Sequence, residues 1–259
     1  EIRSLVGGKA MGLSEIRSAD LRTSKWACLT TALFDECLFG TQNEERHISS
    51  RAALDIFDGE LPSIFYQSVD RAWKIVSDGR GVAVRSSSAL EDGEKLSAAG
   101  MMDSCLNILS LEELYTSICK IWASAFSDRM TEYRRANGLV TQMPKVAVVI
   151  QRMVRADTSG ILFYQPKSGF TISAVYGLAN ELVTGKTDGD MYRADRLGRI
   201  VERRIVHQAF VTITDSEGGI ARISSLRRGA TNRKKGGSLN HRQVRRLCMI
   251  AEDHQRSAQ

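Results

Sequence analysis

Two short segments of the chain combine a basic residue with the surroundings that favour phosphate binding. The first is Leu5–Lys9, with the sequence LVGGK, which precedes an apolar-periodic stretch. Glycines let a backbone approach phosphate oxygens, N–H groups at a helix start attract anions, and Lys9 adds a positive charge. The GxxxxGK[ST] pattern of a P-loop is missing. The alternative interpretation is therefore an ordinary surface turn that opens into a helix.

The second segment is Val84–Ser88, with the sequence VRSSS. Residues 81–85 are short, apolar and bounded by Gly and Ser, which predicts a buried strand with Arg85 at its carboxyl end. An arginine there points into the crevice at the strand end, and its planar fork suits bidentate contacts to phosphate oxygens. The alternative is a structural arginine that pairs with Glu91 or Asp92.

Three further segments carry weaker signals. Residues 97–104 are rich in small residues around Gly100, which permits close approach to a ligand, and Ser104 adds a hydroxyl. The segment 148–154 includes an apolar strand that could offer backbone groups to an adenine edge, with Gln151 at the strand end. The stretch 222–246 is basic, so phosphate or nucleic acid could bind there by charge. The alternative interpretation is a tight loop for residues 97–104, a core strand for 148–154 and a solvated loop within 222–246.

Composition limits the classes of protein that fit. From Arg222 onward the sequence contains ten Lys or Arg residues and two acidic residues. Because the net charge of the whole chain is +6, the part before Arg222 is near neutral. The basic stretch lacks interleaved aromatic residues, which does not favour a nucleic-acid binder. Five cysteines without a CxxC pattern predict free thiols in a reducing cytoplasm. No membrane span or signal peptide is predicted.

Hydrophobic periodicity predicts the elements that must position these segments. Helices are predicted at 30–39, 63–77, 110–137 and 238–253, the third beginning with a Ser110–Glu113 capping box and ending at Asn137-Gly138. A strand pair is predicted from 146–151 and 161–164, a strand at 171–175, a hairpin from 199–206 and 210–214, and a loop at 218–237. The mixed order predicts an α+β fold with two lobes, residues 1–140 and 141–259.

Five segments in this order resemble the ATP-binding domain of the phosphoenolpyruvate synthase and pyruvate phosphate dikinase family. They are LVGGK, VAVRSSSALED, AAGMMDSCLNI, VVIQRMV with SGILF, and AVYGLANELVTG. The same domain occurs in rifampicin phosphotransferases and glucan water dikinases. The resemblance implies an ATP-grasp fold that clamps ATP between two lobes. It also implies transfer of phosphate from ATP to a histidine on a separate, swivelling domain.

The resemblance also implies roles for individual residues. Lys9 and Arg85 match the family's phosphate-binding, catalytic lysine and arginine. Gly100 to Ser104 match the loop over the phosphates, where the family usually has Thr at the last position. Gln151 and Met153 match the adenine side of the site.

The sequence departs from the family pattern at two places. Lys25–Cys28 replaces a VPPGF-like turn. The strands that carry the family's magnesium ligands, DIEW and QSRP, would follow Gln259, so the chain is expected to be a fragment or truncated product that is inactive alone. A non-catalytic nucleotide-binding or regulatory module is the alternative, and a nucleic-acid binder using residues 222–246 is a third hypothesis. The acceptor could be pyruvate, an antibiotic or a glucan.

Overall fold

The computed structural model of the chain describes residues 2–40, 50–88, 104–139, 143–225 and 237–257. Contacts divide the chain into two compact units. The first consists of residues 1–17, 22–153 and 217–219, and the second of residues 18–21, 154–216 and 220–259. Both units combine helices with antiparallel strands, which confirms the predicted α+β class.

The first unit is built on a four-stranded antiparallel sheet with the order β1-β4-β2-β3. Its strands are β1 (Trp26–Leu29), β2 (Val82–Ser87), β3 (Ser104–Ile108) and β4 (Ala147–Arg152). Its helices are α1 (Ile2–Ser18), α2 (Thr31–Phe39), α3 (Ser50–Asp58), α4 (Ser63–Val76), α5 (Leu111–Ser124) and α6 (Asp128–Ala136).

One face of this sheet forms the hydrophobic core of the first unit. Val84 of β2 and Ile150 of β4 lie opposite each other and are fully buried among helix side chains. Trp122 of α5 is the largest buried residue there, and its Nε1 donates a hydrogen bond of 3.2 Å to the Val146 carbonyl. Because side chains alternate between the two faces of a strand, Arg85 and Gln151 lie on the opposite face. The core face therefore fixes which residues the other face presents.

The second unit contains two antiparallel sheets, one with the order β5-β6-β7-β8 and one of β9 with β10. Its elements are β5 (Thr158–Gln165), β6 (Gly169–Tyr176), α7 (Asn180–Val183), β7 (Asp190–Ala194), β8 (Ile200–Arg204), β9 (Phe210–Thr214), β10 (Ile220–Ser224) and α8 (His241–Ser257). The carboxylate of Asp190, 1% exposed, accepts hydrogen bonds from the amides of Val206 (3.0 Å) and Ser238 (2.6 Å). These bonds satisfy its buried charge and fasten the segment before α8.

Several predicted helices are confirmed, and one needs correction. The helices α2 and α4 match residues 30–39 and 63–77 closely, and Ser110 caps α5 as predicted. The single long helix predicted at 110–137 is wrong, because it is interrupted after Ser124. Ser127 donates a hydrogen bond to the Ser124 carbonyl and accepts one from the Met130 amide, so it ends one helix and begins α6.

Two predicted strand pairings are wrong. The strand β4 does not pair with β5, because it lies between β1 and β2 in the other unit. Its uninterrupted apolar run reflects that central position, buried on both faces. The strands β8 and β9 do not form a hairpin, since β8 pairs with β7 and β9 pairs with β10. The turns lie where Asp and Gly residues cluster, at 195–198 and 215–219, and no glycine lies between β8 and β9.

The ends of the second unit also differ from the predictions. The prediction of a loop at 218–237 is wrong for residues 220–224, which form the strand β10. Residues 226–236 lie outside the described part. Val244 of α8 is fully buried, whereas Ile250 is 39% exposed. The elements β1, α3, β3, α7 and β7 were not predicted. Within the described residues, no helix has the length and apolar character needed to cross a membrane.

All five cysteines are free thiols, as predicted. Two of them, Cys37 and Cys248, are buried, and the other three are half-buried. Burial raises the pKa of the Cys37 thiol to about 12 and that of the Cys119 thiol to about 11. Both thiols are therefore protonated at neutral pH and are poor nucleophiles.

The capping box of α5 gives a direct test of the fold. The Ser110 hydroxyl accepts the Glu113 amide (3.1 Å), and the Glu113 carboxylate accepts the Leu109 amide (3.2 Å). The Ser110→Ala substitution is expected to lower the free energy of unfolding by about 1 kcal/mol in a urea titration. The control Thr116→Ala removes an exposed hydroxyl inside the same helix and should be neutral or slightly stabilising. Equal losses in the two variants would contradict the role of the cap.

Candidate functional site

The face of the first sheet that points away from the core brings together the sequence-distant residues Arg85 and Ser104. The register places Arg85 of β2 directly opposite Ser104 of β3 and, on its other side, opposite Val149 of β4. Directly opposed residues project to the same face of a sheet. Arg85 is the one exposed residue of β2. The guanidinium and the Ser104 hydroxyl therefore belong to one surface.

The position of Arg85 differs from the sequence prediction in one respect. It was placed at the carboxyl end of its strand, but β2 continues through Ser86 and Ser87. Both serines pair with β4, opposite Val148 and Ala147. Small hydroxyl residues extend the strand because they can be buried in the ladder, each at 1% exposure or less. Arg85 is thus held by strands on both sides.

Gln151 lies on the same face as Arg85, farther along β4. It is opposite Ala83 of β2 and opposite Trp26 of β1. Met153 follows the strand, and its amide donates a hydrogen bond of 2.9 Å to the Gly81 carbonyl. Both side chains are half-buried. This places the two residues predicted for an adenine side at one end of the face.

The LVGGK segment forms a break inside α1. Gly7 has φ +72° and ψ 173°, which interrupts the helical backbone between Val6 and Gly8. The prediction of a loop opening into a helix is confirmed for the part after Gly7, while residues 2–6 form an additional helical turn. Because φ is positive, this position favours glycine.

The break in α1 packs directly on the end of β2. The Ser87 hydroxyl donates a hydrogen bond of 2.7 Å to the Val6 carbonyl and accepts one of 3.2 Å from the Ala10 amide. A side chain at Gly7 would place its Cβ only 2.1 Å from the Ser87 carbonyl oxygen. Lys9 is two residues after Gly7 in the sequence. Ser87 is two residues after Arg85 in β2, which separates their Cα atoms by roughly 7 Å. The backbone that carries Lys9 is thereby held beside the strand that carries Arg85.

Sequence reasoning missed several residues of this face. Ser87 was noted only as part of VRSSS, and β1 was not predicted. Cys28 of β1 lies opposite Val149, and its thiol donates a long hydrogen bond of 3.8 Å to the Val6 carbonyl. Trp26 lies opposite Gln151, and its buried Nε1 has no hydrogen-bond partner among the described residues. The alternation of WACL before a helix cap was the signal available for β1.

The other predicted candidates are placed less completely. Gly100, together with Glu91 and Asp92 as alternative partners of Arg85, lies outside the described residues. In the basic stretch, Arg222 forms an ion pair of 3.6 Å with Glu181 and lies 4.4 Å from the centre of the Phe210 ring. These contacts engage Arg222 within the second unit. No group of three or more His, Cys, Asp or Glu side chains suited to a metal occurs within the described ranges.

The second unit contains a groove of about 560 Å³ between β5 and α8. Its lining is largely apolar and includes Leu162, Ile172 and Leu247, with Arg155 and Arg246 also present. Of the residues that the resemblance assigns to the site, Lys9, Arg85, Ser104, Gln151 and Met153 do not line it. The pairing of Arg85 with Ser104 and the turn that carries Lys9 therefore belong to the first unit and not to this groove.

Comparisons with known proteins identify the family of the chain and several relatives. The sequence model of the family described as "Pyruvate phosphate dikinase, AMP/ATP-binding domain" matches residues 3–257. The Rifampicin phosphotransferase of Bacillus cereus is 31% identical over 95% of this chain and 30% of its own length. The Prodigiosin synthesizing transferase PigC of Serratia marcescens is 28% identical over 95% of the chain and 28% of its own length.

A third relative broadens the comparison. The Probable phosphoenolpyruvate synthase of Archaeoglobus fulgidus is 27% identical over 96% of this chain and 36% of its own length. The chain thus spans about a third of the length of these relatives.

The close contact at Gly7 predicts a strong effect of adding one methyl group. The Gly7→Ala substitution is expected to lower the free energy of unfolding by about 1–3 kcal/mol, because an alanine is strained at positive φ and its Cβ has no room. The matched control is Gly12→Ala in the same helix, where a Cβ meets nothing within 4 Å. That control should be neutral or stabilising by up to about 1 kcal/mol in thermal and denaturant unfolding. Similar effects of the two substitutions would contradict the packing at Gly7.

The Cys28 thiol gives a pH-dependent prediction for the same face. Burial raises its pKa to about 12, so the reactive thiolate is scarce between pH 7 and 9 and increases about tenfold with each pH unit. Alkylation of Cys28 by iodoacetamide at pH 8, followed by mass spectrometry, should be on the order of a thousandfold slower than that of a free cysteine with a pKa of about 8.5. Labelling at the rate of a free cysteine would contradict the burial.

Proposed function

This chain belongs to the family of pyruvate phosphate dikinase AMP/ATP-binding domains. We propose that it binds ATP on the face of the first sheet that carries Arg85, Ser104 and Gln151, together with Lys9 of α1 and with Met153, which follows β4. The observation that supports this proposal most is the packing of the LVGGK turn on the end of β2 through Ser87. It brings two sequence-distant basic segments to one place. A triphosphate is the ligand chemistry that such a pair of cations suits best.

Each residue has a distinct proposed role. Arg85, fixed in the strand and exposed, would contact phosphate oxygens through its two-pronged guanidinium. Lys9 would add a point charge from the turn, and Ser104, opposite Arg85, would donate a hydroxyl hydrogen bond. Gly100 would allow the preceding loop to approach the phosphates closely. Gln151 and Met153 would bound the adenine.

The proposed chemistry is phosphoryl transfer. As phosphate leaves ATP, negative charge spreads over the transferred group and the leaving oxygens, so fixed cations that contact them lower the barrier. Arg85 and Lys9 would supply that stabilisation and would hold the phosphates in position.

Magnesium belongs to the proposal through the family resemblance alone. The ion commonly bridges phosphate oxygens in such reactions. The residues that the structure describes do not form a cluster of carboxylates suited to it. No step is therefore assigned to a metal held by these residues, and the roles of Lys9 and Arg85 do not depend on one.

The activity of the whole protein extends the same proposal. On the basis of the family resemblance, we infer that in the whole protein phosphate passes to a histidine on a separate, swivelling domain and that this chain alone binds ATP with little turnover. The acceptor would be selected by those other parts. A cytoplasmic location fits the five free thiols, which are typical of a reducing compartment.

Calorimetric titration with ATP, with and without Mg²⁺, tests the proposal. The folded chain should bind ATP in the micromolar to millimolar range, and Lys9→Ala and Arg85→Ala should each weaken binding about tenfold or more, since a hydrogen bond to a charged group contributes about 1.5–3 kcal/mol. The matched controls are Lys74→Ala and Arg80→Ala, which remove exposed cations elsewhere in the first unit.

The controls should bind ATP like the unmodified chain. Two outcomes would overturn the proposal. One is the absence of heat with a folded sample at millimolar ATP, and the other is unchanged affinity in both the Lys9 and Arg85 variants.

A further inference from the structure

We propose that Ser87 is a positioning residue whose hydroxyl holds α1 open and so sets the place of Lys9. This inference rests on the proposed function in one respect, namely that Lys9 contacts ATP. The structural part, the opening of the helix, stands on the contacts alone. Ser87 itself touches no proposed ligand.

The two hydrogen bonds of Ser87 take the place of one helical bond. In a regular α-helix the Ala10 amide would donate to the Val6 carbonyl, four residues earlier. Here the Ala10 amide donates to the Ser87 hydroxyl (3.2 Å), and that hydroxyl donates to the Val6 carbonyl (2.7 Å). The hydroxyl is therefore inserted into the helix ladder, which is a known physical cause of a sharp kink.

The contacts around the insertion keep the helix from closing. Gly7 provides the positive φ of the break and lies against the Ser87 backbone, where a Cβ would lie 2.1 Å from the carbonyl oxygen. The Gly8 amide approaches the Ser88 carbonyl at 3.5 Å. The neighbouring Cys28 thiol reaches the Val6 carbonyl only at 3.8 Å, a weak contact. Ser87 therefore forms shorter side-chain bonds to the open turn than Cys28 does.

The opening determines where Lys9 lies. Lys9 belongs to the turn between Val6 and Ala10, the two residues that Ser87 bridges. Without the hydroxyl, the Val6 carbonyl and the Ala10 amide would each lose a buried partner, and their simplest new partners are each other. Closing that bond would straighten the helix and rotate Lys9 away from the strand that carries Arg85. An ordinary buried serine would have no such consequence for a residue 78 positions away in the sequence.

The test compares Ser87→Ala with Ser86→Ala. Both serines are at most 1% exposed and adjacent in β2, but they lie on opposite faces, so the same chemical change is made at the same depth. NMR chemical shifts of residues 6–10 measure the conformation of the turn, and calorimetry measures ATP affinity. In Ser87→Ala, the shifts of Gly7 should move towards helical values and ATP affinity should fall about tenfold. In Ser86→Ala, both should stay close to those of the unmodified chain.

A second variant keeps the test decisive if Ser87→Ala does not fold. Ser87→Thr retains a hydroxyl at the same position and should preserve the open turn and most of the ATP affinity. Ser87→Cys, with a weaker donor and acceptor, should shift the turn in the same direction as Ala but less. Unchanged shifts at residues 6–10 in both the Ala and Cys variants would overturn the role of the hydroxyl.

The same experiment separates this inference from the proposed function. Suppose that the unmodified chain binds ATP and that the Ser87→Ala variant binds it with the same affinity although the chemical shifts of residues 6–10 have changed. The positioning of Lys9 by Ser87 is then refuted. If the unmodified chain binds no ATP, the proposed function fails, and the shifts of Gly7 still decide whether Ser87 holds the helix open.

Discussion

The proposed ATP site depends on one close backbone contact, the packing of the Gly7 turn against Ser87. The contact requires a glycine at residue 7 in α1, because a side chain would not fit there. It also requires a small hydroxyl residue at position 87 in β2, 80 residues later in the sequence. Any Cβ at residue 7 would separate the two segments, and with them the backbone of Lys9 and the strand of Arg85. The resemblance to a phosphate-binding motif in either segment alone is weak. The contact holds the backbones of the two segments side by side.

The sheet beneath this contact explains why the surface is well defined. On the core side, aliphatic residues of β2 and β4 pack among aromatic side chains that include Trp122 and Phe34. That packing fixes the register, and a shift of one residue would bury Arg85 and expose Val84. Arg85 and Ser104 thus face each other because the opposite side of the sheet cannot accept them. The apolar packing on the core face of the sheet therefore positions Arg85 of the proposed site on the opposite face.

The sequence predicted the local features of this arrangement better than the long-range ones. The cap at Ser110, the strand around Arg85 and the turn before Lys9 follow from neighbouring residue types, and all are present. Which strands pair does not follow from neighbouring residues, since β4 joins β1 and β2 from distant parts of the chain. The role of Ser87 was hidden for the same reason. The Ser87 hydroxyl bonds to a helix that is distant in the sequence. Such a contact produces no hydrophobic periodicity or unusual composition in the residues around the serine.

A crystal structure of the chain with a non-hydrolysable ATP analogue tests the central claim most directly. The account predicts that the Lys9 Nζ and the Arg85 guanidinium both lie within hydrogen-bond distance of the phosphate oxygens of one analogue molecule, with the base beside Gln151. An analogue bound elsewhere, or one whose phosphates contact neither side chain, would contradict it.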